Sequence, residues 1–178
     1  MVIWLLGLSG AGKTTVAQCL YKRVKPDCSN LVFLDGDNLR DVWGDTLGHT
    51  IDARRMNAHR ISHLARMLDQ QNIHVIAAVM SIFPDWLAWN REHFSQYFEV
   101  FLDAPMELVL SRDSKGLYKA ATNGEIDNVV GVDIPYTRPV APDCTISPGL
   151  LASTPDQLAD YILDSMPAPM KGQLCPQS

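Results

Sequence analysis

Near its start the chain carries Gly7-Leu8-Ser9-Gly10-Ala11-Gly12-Lys13-Thr14, the pattern G-x-x-x-x-G-K-T, directly after the apolar run Val2-Ile3-Trp4-Leu5-Leu6. This order constrains the fold more than any other feature: a buried strand, a glycine-rich turn, then a helix opening at the lysine. Glycines let the backbone curl and aim its N–H groups inward, which makes a nest for an anion. The positive end of the following helix adds to that attraction. In such a loop the lysine, Lys13, reaches the outer phosphates, and the hydroxyl of Thr14 is a ligand for Mg²⁺. The segment from Gly7 to Thr15 therefore implies a bound nucleoside triphosphate.

At 178 residues, 47% of them hydrophobic, the chain is expected to form one domain with a substantial core. Its net charge is −5 and no block of like charge occurs, which argues against a nucleic-acid surface. Anionic ligands must then be met by local clusters of Arg, Lys and backbone N–H groups. The first residues lack a basic leader and are soon interrupted by Gly7, and no later run reaches membrane-spanning length. Cys19, Cys28, Cys144 and Cys175 show no metal-ligand spacing. Reduced thiols and a cytoplasmic location are the expectation.

Apolar runs that read as buried strands recur at 2–6, 31–34, 75–79, 98–102 and, more weakly, 144–147. Between them lie helical stretches at 13–24, 52–71, 83–95, 105–113 and 155–164, the last with Thr154 as N-cap. Strands alternating with helices predict an α/β fold with a mainly parallel sheet and helices on both faces, as in P-loop NTPases. Residues 115–142 mix glycines, prolines and charges with little period and read as a lid. A single main domain is expected over 1–166, with a lid over about 115–142 and a flexible tail over 167–178.

Ligands in such sheets sit beyond the carboxyl ends of the strands. There the second strand ends in Leu34-Asp35-Gly36-Asp37, with Arg40 following. One carboxylate, Asp35, can hold Mg²⁺, and Asp37 can accept a proton from an attacking alcohol. Arg54 and Asn57 are three apart on a predicted helix and share a face. Trp43, Trp86 and Trp89 are read as packing residues, with Trp43 or Trp86 as an alternative wall for a base. His59, His63, His74 and His93 are read as structural or solvated.

The stretches GLSGAGKTT at 7–15, LDGDNLR at 34–40, LGH at 47–49 with Arg54, Asn57 and Arg60 after it, RDSKGLYKAA at 112–121 and GVDIPYTRPVAPD at 131–143 together resemble the adenylylsulfate (APS) kinases. These are P-loop enzymes that use ATP to phosphorylate the 3′-hydroxyl of adenosine 5′-phosphosulfate. The resemblance implies that Asp37 lies at the acceptor hydroxyl as base, with Lys13 as its catalytic partner at the phosphates. It implies that Arg40, Arg54, Asn57 and the lid residue Lys115 grip the acceptor, and that Arg112 packs against the ATP base. It also implies Mg²⁺, small nucleotide substrates and a homodimer.

The departures concern the acceptor. His49 stands where the family has one phenylalanine of an adenine clamp, and the second is replaced near Val129. The family's I-S-P-x-R stretch is matched to 82–86, which puts Phe83 in place of its serine and leaves Ser81 without that role. A phosphoserine at that position is then excluded, and direct transfer is expected. The expected function is transfer of the ATP γ-phosphoryl group to a nucleotide 3′-hydroxyl, with APS as the leading acceptor. A cytidine diphosphate derivative is the alternative, and a non-catalytic nucleotide-binding regulator belongs to a different class.

Overall fold

The computed structural model describes residues 1–44, 48–113 and 115–174. Leu47, Ser114 and Cys175, which enter the sequence reading, lie outside the described residues. Five strands, β1 (Val2–Leu6), β2 (Leu31–Asp35), β3 (His74–Ala78), β4 (Tyr97–Leu102) and β5 (Cys144–Ile146), form one sheet in the order β2-β3-β1-β4-β5. Every neighbouring pair is parallel, with Val2 opposite Val75 on one side of β1 and Tyr97 on the other. The expected α/β architecture is therefore present, with the glycine loop leaving the central strand.

Strict two-residue alternation divides the sheet's side chains between two cores. Ile3, Leu5, Ile76, Ala78, Phe98, Val100 and Leu102 point to one face. There they meet Val16, Ala17 and Leu20 of helix α1 (Lys13–Val24) and Leu158, Ala159 and Ile162 of α7 (Pro155–Ser165). Val2, Trp4, Leu6, Val75, Ala77 and Phe101 point to the other face. They are covered by Ile61 and Ala65 of α3 (Ile51–Asp69) and Leu87 of α4 (Pro84–His93). Thr154 caps α7 in a full capping box with Gln157, as the sequence expects.

Four short helices complete the fold: α2 (Gly36–Val42), α5 (Met106–Ser111), α6 (Leu117–Thr122) and α8 (Ala168–Leu174). Two of them correct the sequence reading. The segment 115–142 is not structureless, because it contains α6, and Tyr118, Val129, Val130 and Ile134 are buried. The tail expected from 167 instead continues into α8, whose Leu174 is buried in the first core. Cys19 and Cys144 are free thiols. Among the described residues no helix is long and apolar enough to cross a membrane.

Candidate active site

Two glycines make the loop after β1 possible. A Cβ on Gly7 would lie 2.7 Å from the Leu102 carbonyl oxygen, so only a bare backbone fits against β4. Gly12 caps α1 at φ 97°, a left-handed conformation that side chains resist. The turn delivers Ser9, Gly10, Ala11, Gly12, Lys13, Thr14 and Thr15 to the wall of a cavity of about 540 Å³. Gly7 and Leu8 stand behind that wall rather than in it. Arg112 lines the same cavity with Leu151 and donates to the Leu151 carbonyl at 3.3 Å.

The Lys13 ammonium donates to the Leu8 carbonyl at 2.8 Å, so the lysine is folded back over its own loop. Burial pushes it down to about 8, against the pull of Asp37 and Asp35, and Lys115 adds to the lowering. A buried cation with incomplete compensation is primed to accept an anionic partner.

Asp35 ends β2 and starts α2. One carboxylate oxygen accepts from the backbone N–H groups of Asp37 and Asn38 at 2.9 and 3.2 Å. The other accepts the Thr14 hydroxyl at 2.6 Å. A buried carboxylate touching a hydroxyl at the mouth of a phosphate nest is the hard oxygen donor set that Mg²⁺ takes, with phosphate and water filling the remaining positions. Thr14 and Asp35 thus fit the ion assigned to them from sequence.

Asp37, two residues on, faces a second cavity of about 570 Å³. Ser9, Gly36, Asp37, Met80 and Lys115 border both cavities, so the two spaces meet at this carboxylate. Lys115 donates to Asp37 at 2.7 Å, and with both side chains more than 70% exposed the pair is easily parted. Partial burial alone would raise the Asp37 carboxyl. The hydrogen bond and charge of Lys115, then Lys13 and Arg40, outweigh burial and hold it below its ordinary value.

The second cavity gathers the remaining acceptor candidates, Arg40, His49, Arg54 and Asn57. The shared helix face read from the sequence is correct: Arg54 and Asn57 both turn into it from α3. Arg54 also ties the surrounding segments together, donating to the His49 carbonyl at 2.9 Å and the Asn128 carbonyl of the lid at 2.7 Å. Arg40 donates to the Gly48 carbonyl at 2.8 Å. The cavity's apolar lining is Trp4, Ile61, Val79, Met80, Leu117, Ile126 and Val129.

Trp4, Ser81 and Phe83 differ from their sequence assignment, whereas Trp86 and Trp43 keep the packing role read for them. Trp4 lines the second cavity although it reads as an ordinary strand residue, and its indole N–H donates to the Ser81 hydroxyl at 2.9 Å. Ser81 lines the same cavity, whereas Phe83 is buried in the core beneath the Arg55 guanidinium. Phe83 therefore does not take the place of a serine at the site, and an exclusion resting on it does not hold. Trp86 lines neither cavity; with Trp89 it stacks among His59, His63 and His93 between α3 and α4. Trp43 lies against Arg60 and lines neither cavity. The signal for Ser81 was its position three residues past β3, level with the glycine loop in the neighbouring strand.

A glycine cradle, a buried lysine and an acidic strand tip, opening on one side to a nucleotide-sized cavity and on the other to a second, define a P-loop kinase. The chain belongs to the adenylylsulphate kinase family, whose model matches residues 1–147. It is 41% identical over 140 residues to a cytidine diphosphoramidate kinase of Campylobacter jejuni, covering 79% of this chain and 82% of that one. It is 42% identical over 146 residues to an adenylyl-sulfate kinase of Paraburkholderia xenovorans, covering 82% of each. Among solved structures, the APS kinase of Mycobacterium tuberculosis in complex with AMPPNP and APS superposes with a TM-score of 0.82. That pair shares 34% identity over 92% of this chain and 95% of the other. The protein is accordingly an ATP-dependent phosphotransferase with an alcohol group as acceptor.

Proposed function

We propose that this kinase transfers the γ-phosphoryl group of ATP to the 3′-hydroxyl of a cytidine diphosphate conjugate, rather than to APS, the leading expectation from sequence. The observation that carries this reading is the second cavity. His49 lines it at the position of one phenylalanine of the family's adenine clamp and Val129 lines it near that of the other, and among its apolar lining residues only Trp4 carries an aromatic ring. Valine offers no face for stacking, so a large purine loses much of its grip there. A smaller pyrimidine depends less on a paired clamp, and the Campylobacter jejuni relative is named for a cytidine diphosphate derivative. The family model and the Paraburkholderia xenovorans relative support APS as the second reading.

In either reading the chemistry is the same. The triphosphate lies in the nest of Ser9 to Thr15, with Lys13 leaving the Leu8 carbonyl for the outer phosphates. The acceptor's own anionic groups engage Arg40, Arg54 and Lys115. Once Lys115 is drawn away, Asp37 is free to take the proton of the 3′-hydroxyl as its oxygen attacks the γ-phosphorus. The new P–O bond forms as the bond to the β-phosphate bridge breaks, and ADP departs. Thr14 and Asp35 would hold Mg²⁺, which would supply neutralisation of phosphate charge. The protein's share is alignment and charge, which is most of what phosphoryl transfer needs. The homodimer expected from sequence belongs to this proposal too, and light scattering tests it.

The deciding experiment measures kcat/KM with APS, CDP and a set of cytidine and adenosine diphosphate conjugates at fixed MgATP. A preference of about tenfold or more for a cytidine conjugate is expected, matching roughly the 1–3 kcal/mol that one apolar pocket contact discriminates. Efficient turnover of APS with weak turnover of every cytidine compound would reverse the assignment.

A further inference from the structure

We infer that Tyr118 is a positioning residue for the triphosphate, acting from the lid on the glycine loop. It lies on α6, its ring is 1% exposed, and its hydroxyl donates to the Ser9 carbonyl at 3.1 Å. A trans peptide unit points its C=O and its N–H in opposite directions. Holding the Ser9 oxygen toward the lid therefore turns the next N–H, that of Gly10, away from it. Among the described residues this Gly10 N–H has no acceptor. It is a donor kept free for a phosphate oxygen.

The loop needs such a brace. Gly10 has φ 76°, and with no side chain at this position the peptide can rotate at little cost. On the preceding peptide Lys13 grips the Leu8 carbonyl and is the group that must let go when phosphate arrives. Tyr118 has no such competing duty. Burial, followed by the charge of Asp113, pushes its hydroxyl up to about 12, so it remains a donor at neutral pH.

The same short helix reaches both substrates' spaces. Leu117 lines the acceptor cavity and Tyr118 the triphosphate cavity. The N–H of Lys119 is held by the Asp113 carboxylate at 3.0 Å, which fixes the helix's first turn. Placement of the lid and shape of the cradle are thus tied through one hydroxyl.

This inference rests on the triphosphate occupying the first cavity. Its test is Tyr118→Phe, which keeps the ring and removes only the donor, with affinity read by calorimetry for MgATP and for inorganic tripolyphosphate. Both should bind about five- to tenfold more weakly, the effect of losing one organising hydrogen bond. The melting temperature should stay at its native value. Unchanged affinities would overturn the inference, as would a loss confined to MgATP, or a loss that merely follows a fall in melting temperature. If the native chain bound neither ligand, the cradle itself would be wrong and Tyr118 with it, an outcome distinct from a native chain that binds and a variant that binds equally well.

Discussion

Raising the pH through the range in which Lys13 loses its proton tests how the cradle captures phosphate. Burial sets this ammonium at about 8, well below its ordinary 10.5. A bound triphosphate places opposite charge on it and removes its bond to Leu8, which restores the charged form well into the alkaline range. Binding must then draw a proton from solution whenever the free lysine is partly neutral. With a free value near 8, uptake is about three quarters of a proton at pH 8.5 and about a tenth at pH 7. By the same linkage, affinity falls about tenfold between pH 7 and pH 9. Calorimetry of MgATP binding in two buffers of unequal ionisation enthalpy measures the uptake directly. Lys13→Arg supplies the control, because a guanidinium stays charged throughout. Equal uptake at pH 7 and 8.5, or uptake that survives in the arginine variant, would refute the reasoning.

Three further outcomes follow from the geometry. Asp37→Ala should lower transfer by about 10²–10⁴, the usual share of a general base, while MgATP affinity stays near native; unchanged turnover would remove Asp37 from its role. Gly7→Ala forces a Cβ to within 2.7 Å of the Leu102 carbonyl oxygen. It should cost about 1–3 kcal/mol of stability, read from denaturant melts, and a neutral result would mean that β1 and β4 can part there. Leu174→Ala should cost about 2–5 kcal/mol if α8 is docked on the core as its burial indicates, and a melting temperature at the native value would show that it is not.

How much of this was legible in the sequence depends on how local each cause is. β1, the loop and α1 follow one another without a gap, and each carries its own signal: an apolar run, spaced glycines, then a helix. The i, i+3 spacing of Arg54 and Asn57 also sufficed to place them together. Helices of six or seven residues are too short to show a reliable period, so α2, α6 and α8 were missed although the equally short α5 was found. α2 follows β2 with no loop between them, its first turn capped by the Asp35 side chain. Trp4 and Ser81 were illegible for another reason. They lie 77 residues apart and meet only because β1 and β3 are neighbours in the sheet. Residues 82–86 misled because a short motif was matched by letters, when the end of β3 fixes which serine faces the cavity.

The brace made by Asp35 has a consequence for how such an enzyme can diversify. One carboxylate secures both the threonine of the loop and the first turn of the helix carrying Asp37 and Arg40. Altering it would disturb catalysis and recognition at one stroke. Ile61, Ile126 and Val129 hang from other parts of the chain and line only the acceptor cavity. Acceptor preference can therefore drift through those three side chains while the transfer machinery is inherited intact.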